Sequence, residues 1–147
     1  MDILVERYIA EQTRRSHMIY EQNNVEDFHR EFGMSIAKVP CIPNNEDSIL
    51  RIALIEEELD ELHLALAAKD IIEVADALGD LLYVVLGCAV ICGINLEPVF
   101  AEIHRSNMTK KGGHKSESGK WVKPDTYEPA KLLSILERQG YKHENRT

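Results

Sequence analysis

The stretch from Asp70 to Cys92, DIIEVADALGDLLYVVLGCAVIC, constrains the fold more than any other part of this 147-residue chain. From Ile71 onward only Glu73, Asp76, Asp80 and Tyr83 interrupt aliphatic, Gly and Cys residues, so as a helix the run is apolar on nearly every side and needs cover. At about 100° per residue, Glu73, Asp76 and Asp80 fall within roughly 60° of one another, with Ala77, Val84 and Gly87 on or beside the same stripe. An ionised carboxylate buried without a partner is very unfavourable. Three of them in one apolar helix therefore call for cations, either basic side chains or metal ions.

The same acids bear on where the chain resides. The run to Ile94 is long enough to suggest a membrane span, but three acids at about 2.5–3.5 kcal/mol each near mid-bilayer argue against one. The opening MDILVERYIAEQ carries acids within its first six residues and no long apolar core, so no secretory signal is expected. Cys41, Cys88 and Cys92 lack CxxC spacing and are expected to be small core residues of a soluble protein in a reducing cytoplasm.

Hydrophobic residues make up 44% of the chain and aromatics 6%, which favours an all-α fold, and the length suits one domain that a partner subunit could complete. A net charge of −8 argues against a general nucleic-acid or anionic-membrane binder. The charge is uneven. Eleven acids lie between Glu46 and Asp80 against Arg51 and Lys69, whereas His104 to Lys123 carries six Lys/Arg against Glu117.

Taken in order, residues 3 to 22 can form a helix with Ile3, Leu4, Tyr8 and Ile9 on one face. Asn24 then reads as an N-cap for a short helix bearing Phe28 and Phe32 and stopped by Gly33. Residues 34–45 contain Pro40 and Pro43 and no period, so a loop is expected, with Asn44 or Asn45 capping the next helix. That helix, about Asp47 to Ala68, carries Ile52, Ile55, Leu59, Leu62 and Leu66 as one clear core stripe. Glu57, Glu58 and Glu61 lie about 140°, 240° and 180° from Ile52, in a second stripe mixed with Leu50, Leu54 and Ala65.

Lys69-Asp70 reads as a tight break. An antiparallel return would lay Glu57, Glu58 and Glu61 beside Glu73, Asp76 and Asp80. Gly93 should end the apolar helix, and Leu96 to about Met108 form the next, with Pro98 in its first turn. Residues 109–125 are rich in Gly, Lys and Ser, and predict a loop or short hairpin around Ser118-Gly119, with Trp121 as a loop anchor. Pro129 to Gln139 is expected to be a last short helix.

The ligand set is carboxylate only, since no His or Cys falls on either acidic stripe, and hard oxygen donors suit Mg²⁺ or Mn²⁺ better than Zn²⁺. Mg²⁺ commonly reaches a protein through a few carboxylates plus substrate phosphates, so this cradle and the lysine-rich segment together suggest a polyphosphate substrate. One ExxE is weak, because surface helices abound in such pairs. EExxE followed by ExxDxxxD in an apolar helix is far more specific.

The segments IEEELDEL and EVADALGDLLYVVLGCAVICGINLEPVFAEIHRSNMTK resemble the MazG-like all-α nucleoside triphosphate pyrophosphohydrolase superfamily, in the branch related to phosphoribosyl-ATP pyrophosphohydrolase. The resemblance implies an antiparallel helix bundle completed as a homodimer or homotetramer. It also implies Mg²⁺-dependent cleavage of a nucleoside triphosphate into monophosphate and pyrophosphate. By position it makes Glu57, Glu58 and Glu61 metal ligands and catalytic residues, one of them taking the proton of a metal-ordered water, and leaves the second set open among Glu73, Asp76 and Asp80. It further points to Lys110 or Lys111 for the leaving pyrophosphate, Asn107 for phosphate or ribose, and Phe28 and His29 near the base.

Two other readings compete. Glu26-x-x-His29 and Asp60-x-x-His63 mimic the Glu-x-x-His element of a di-iron bundle, although Asp60 lies about 100° from Glu61 around the helix. In a non-catalytic assembly module, the acids would instead pair with Lys or Arg of a partner.

Overall fold

The computed structural model describes residues 17–143. They contain five helices, α1 (His17–Glu31), α2 (Asn45–Ala68), α3 (Ile71–Cys92), α4 (Leu96–Met108) and α5 (Leu133–Arg138), and one short hairpin, β1 (His114–Lys115) with β2 (Trp121–Val122). The all-α expectation holds. Residues 3–16 of the expected opening helix lie outside the described residues. The chain forms two compact units, one through Leu96 and one from Glu97.

In the first unit, α3 is the central element, packed against both α1 and α2. Val25, Leu86 and Val90 form its buried cluster, with Met18, Ile36 and Leu96 packed against them. Burial of a Leu or Val side chain contributes about 1.5–3 kcal/mol, so these contacts fix α1 on α3. A break before Asn24 was expected, but α1 runs unbroken through Asn23 and Asn24. Both asparagines are exposed, where the modest helix propensity of Asn is outweighed by anchoring at Met18 and Val25 on either side.

The helix ends follow local chemistry. Asn44 caps α2 by accepting the Asp47 N–H at 2.8 Å. Lys69 closes α2 in the left-handed conformation (φ 56°), its N–H donating to the Leu66 carbonyl at 3.2 Å. Asp70 then caps α3, accepting from Ile72 and Glu73 N–H groups at 3.0 and 3.2 Å. The tight Lys69-Asp70 break therefore returns α3 antiparallel to α2. Gly93, at φ 65°, ends α3. Gln22 secures that corner, donating to the Ile94 carbonyl at 2.7 Å and accepting the Leu96 N–H at 3.0 Å.

The expected core stripe of α2 needs correction. Ile52, Leu59 and Leu66 are 56, 41 and 57% exposed, and only Ile55 and Leu62 are half-buried. The inward face instead carries buried Arg51 and Ala65 with half-buried Leu54, Ile55, Glu58 and Leu62. A helix with one main neighbour buries one stripe. Here the mixed stripe faces α3, where Ala77 and Gly87 are buried and leave room for it.

Helix α3 is itself long and apolar enough to cross a membrane by length and composition alone. Its C-terminal half meets that test as the core of the unit, with Leu86, Gly87, Ala89, Val90 and Ile91 buried. Its N-terminal half is not enclosed by the other described residues, for Ile71, Ile72, Leu78 and Leu82 are exposed.

In the second unit, Arg105 joins α4 to the segment before α5, bonding Glu102 at 2.8 Å and Glu128 at 3.0 Å. The hydrogen bond from Arg105, followed by that from the Lys131 N–H, lowers the Glu102 carboxyl to about 2. Buried Ser106 donates to the Glu128 carbonyl at 2.7 Å. The hairpin pairs His114 with Val122 and Lys115 with Trp121, its turn holding Gly119 at φ 83°. Helix α5 is shorter than the expected 129–139, because Lys131 N–H is drawn to Glu102 at 2.9 Å and the helix starts only at Leu133.

Candidate active site

The two acidic stripes meet where α2 lies against α3. Glu58 is at the centre, half-buried, with an Oε2 atom closed to solvent and without a hydrogen-bond partner. Its carboxyl is raised above the ordinary range by desolvation first, then by the charges of Glu61, Asp80, Glu57 and Asp76. Five carboxylates of the six predicted thus share one electrostatic site. The sixth, Glu73, lines a surface concavity of about 370 Å³ together with Glu61 and Asp76.

Apart from Glu58, these acids are exposed. None of the six forms an ion pair with another described residue, whereas Glu26, Asp27, Glu102 and Glu128 all do. Carboxylates crowded together without a base repel one another. An orphaned, desolvated oxygen amid four further oxygen-donor groups is chemically suited to a hard divalent cation. As they stand, the described residues contain no group of three His, Cys, Asp or Glu side chains gathered tightly enough to hold a metal. The acids face one another, and a bound ion would have to draw them in.

Two turns along α2 from Glu58, buried Arg51 lies over Gly87 of α3. A Cβ placed on Gly87 would stand 3.0 Å from Arg51 Nη1 and 3.3 Å from His29 Nε2. His29 is 1% exposed, and its Nδ1 is 2.9 Å from the Ser35 carbonyl, which makes Nδ1 the protonated nitrogen. The resemblance places His29 near the base; in the structure its ring is buried between α1 and α3, in the space that the missing Gly87 side chain leaves. Glu26, the other half of the di-iron element, is paired with Arg30 at 2.8 Å and Lys38 at 3.3 Å. That element is therefore occupied by structural contacts.

Phe28 is 39% exposed and belongs to an aromatic group, with ring centroids 4.5 Å from Phe32 and 5.7 Å, edge-on, from Tyr83. Phe32 and Tyr83 were not singled out as site residues. Tyr83 follows Asp76 by seven residues, about 20° around α3, and so continues the acidic stripe.

The remaining candidates lie in the second unit. Asn107, Met108, Lys110, Lys111 and Trp121 line a concavity of about 270 Å³. Lys110 Nζ donates to Asn107 Oδ1 at 2.6 Å, and Trp121 Nε1 donates to the Lys110 carbonyl at 2.9 Å, the anchoring role expected of this indole. Lys123 sits 4.2 Å and Lys110 5.9 Å from the Tyr127 ring centroid. The Tyr127 hydroxyl is lowered from its ordinary range, first by the Ser106 hydrogen bond and then by the lysines, against some desolvation.

A helical unit with facing carboxylate stripes fits the class of all-α pyrophosphohydrolases, and a family match assigns the chain to it. The phosphoribosyl-ATP pyrophosphohydrolase family model matches residues 25–107, and the chain belongs to this family, within the MazG-like superfamily. The match runs from Val25 within α1 to Asn107 in α4 and includes every acid of the site. The chain is also similar to the uncharacterized protein L479 of Acanthamoeba polyphaga mimivirus, at 38% identity over 77 residues. That similarity covers 50% of this chain and 31% of the viral protein, so the chain spans about a third of its relative's length.

Proposed function

We propose that this pyrophosphohydrolase is a Mg²⁺-dependent enzyme, with Mn²⁺ able to substitute, that hydrolyses a (deoxy)nucleoside triphosphate to monophosphate and pyrophosphate. The observation that carries this reading is Glu58, whose buried, unpartnered oxygen sits in the field of Glu57, Glu61, Asp76 and Asp80. Burying and crowding carboxylates costs stability unless cations complete the site. Glu57, Glu58, Glu61, Asp76 and Asp80, with Glu73 at the adjoining concavity, would hold the metal. When bound, divalent ions supply neutralisation of the triphosphate and polarisation of the phosphorus under attack.

The chain's own contribution is to orient water and move its proton. Glu58 is suited to the second task, because a carboxyl held above its ordinary range is a stronger base than a solvated one. The partly exposed faces of Phe28, Phe32 and Tyr83 offer a base a stacking surface beside the acids. Asn107, Lys110 and Lys111 are assigned to phosphate binding by charge and donor chemistry. The exposed apolar stripe of α2 supports a homodimer or homotetramer. Net charge −8 disfavours a nucleic acid or an anionic membrane as partner, and the setting of this reading is a soluble, cytoplasmic one. In that setting the reaction would cleanse a nucleotide pool.

A biosynthetic reading is favoured by the family description itself, since phosphoribosyl-ATP presents the same triphosphate to be split. One panel decides between them. Purified protein with Mg²⁺ is incubated with canonical nucleotides, damaged nucleotides and phosphoribosyl-ATP, and the products are resolved. Pyrophosphate with a deoxynucleoside monophosphate supports the proposal; turnover of phosphoribosyl-ATP alone supports the second reading. Release of orthophosphate, or an untouched panel, rejects both.

A further inference from the structure

The three cysteines come together outside the acidic site, although they are scattered in sequence and only two share a helix. The loop that follows α1 runs alongside the last turn of α3. Ala37 N–H donates to the Val90 carbonyl at 3.1 Å, and Cys41 N–H donates to the Cys92 carbonyl at 2.9 Å. Between these two bonds the loop passes so close to Gly93 that a Cβ there would stand 2.2 Å from the Val39 carbonyl oxygen. The loop is therefore seated firmly, and its register against the helix is set at both ends of the contact.

That register puts Cys41 beside Cys92. With Cα–N about 1.46 Å and O···Cα about 2.4 Å, a single 2.9 Å bond keeps the two Cα atoms within about 6.8 Å, the upper end of the range a disulfide spans. Cys88 is also near, one turn before Cys92. An i, i+4 pair, however, has both Cα–Cβ bonds tilted the same way along the helix, a poor arrangement for the roughly 90° dihedral of a disulfide. Cys41 is exposed, whereas Cys88 and Cys92 are half-buried.

We infer that Cys41 and Cys92 form a redox couple, in which a peroxide converts the exposed Cys41 thiol and its neighbour into an intramolecular disulfide that fastens the loop to the end of α3. In the first step the Cys41 sulfur attacks the peroxide O–O bond, giving Cys41 sulfenic acid and water from hydrogen peroxide. In the second the Cys92 sulfur attacks the sulfenic sulfur and expels a second water. Two thiols are oxidised by two electrons and one peroxide is reduced to two waters. Burial first, then the charge and side-chain hydrogen bond of Cys88, and last the charge of Cys41, push the Cys92 thiol up to about 11, which assigns it the resolving rather than the peroxide-attacking role. Neither thiol belongs to the proposed hydrolytic site, so the inference stands apart from that reading.

The test uses the full chain treated with hydrogen peroxide, capped with an alkylating agent and digested without reductant. The expected product is a peptide pair linked through Cys41 and Cys92, reversed by dithiothreitol. It should persist in Cys88→Ser and be absent in Cys41→Ser, whose exposed position makes misfolding no explanation for the loss. The oxidised protein should also melt at a higher temperature, because the cross-link restricts the unfolded chain. A Cys88–Cys92 link, a disulfide between two copies through Cys41, or Cys41 sulfinic acid with Cys92 still alkylated would each overturn the inference.

Discussion

Arg51 on α2 and Gly87 on α3 are matched so closely that a methyl group on Gly87 would come within 3.0 Å of the Arg51 guanidinium. Replacing a mid-helix Gly by Ala ordinarily gains about 0.5–1 kcal/mol. Here the gain should be lost, since Arg51 is buried and His29, 3.3 Å from the same point, is held by the Ser35 carbonyl. Gly87→Ala should therefore destabilise by about 1–3 kcal/mol, the usual cost of overpacking. Gly93→Ala should cost more, because it adds a left-handed conformation to a clash with backbone at Val39. Denaturant melts of both variants check the order; a stabilised Gly87→Ala would mean that Arg51 has room to withdraw.

Glu58 makes stability depend on pH in the direction opposite to a salt-bridged acid. Its folded-state carboxyl binds protons more readily than the unfolded one. The contribution of Glu58 to stability without metal should be greatest below the unfolded carboxylate value of about 4.3, and be lost as pH rises from there through the raised folded value. Glu58→Gln should flatten this slope and equal or exceed the wild type in melting temperature near pH 7. Thermal melts between pH 4 and 8 in a chelating buffer measure it. A wild-type melting temperature that climbs through this window relative to the variant would mean the carboxylate is paired with a cation.

These relationships show which parts of the structure can be read from the chain. Asn44, the Lys69-Asp70 break, Gly93 and the turn at Gly119 act through local backbone chemistry, so the helix ends and the hairpin were legible, as was the antiparallel return that brings the acids together. The stripe of α2 that turns inward was not. Ile52, Leu59 and Leu66 look more like core than Arg51 and Glu58, and the choice depends on where Ala77 and Gly87 leave room on another helix. Cys41 failed as a core assignment for a similar reason: two backbone bonds in a loop without periodicity decide its position. His29 carried no mark of burial, because the space it fills is an absence in the side chain of Gly87.

Loss of acidic ligands should separate stability from activity. Glu61→Gln and Asp80→Asn keep the shape of each side chain and remove a negative charge from the field around Glu58. Without metal, each variant should melt at or above the wild-type temperature. Added Mg²⁺ should raise the wild-type melting temperature through native-state binding and raise those of the variants little. Turnover should fall about 10²-fold or more, as for loss of other charge-stabilising or proton-transfer groups. Variants that melt lower without metal yet keep turnover would identify the acids as structural ion-pair partners.

The outward stripe of α2 supplies the last prediction. Ile49, Ile52, Leu59 and Leu66 are exposed along this helix, and Ile71, Ile72, Leu78 and Leu82 are exposed on the N-terminal half of α3. Scattered apolar side chains are ordinary on a surface, but two neighbouring helices that both leave apolar residues uncovered call for a partner. A second copy presents the same residues and can bury them by two-fold pairing, with a stable interface of about 1,600 Å² in total. The protein should therefore be at least a dimer at micromolar concentration. Leu59→Glu with Leu66→Glu should dissociate it, because burying two added charges per chain without partners costs several kcal/mol. Neither residue faces α3, so the separated chain should keep its helical circular dichroism. Light scattering that finds a well-folded wild-type monomer, or a double variant that still dimerises, would show that this stripe is not the interface.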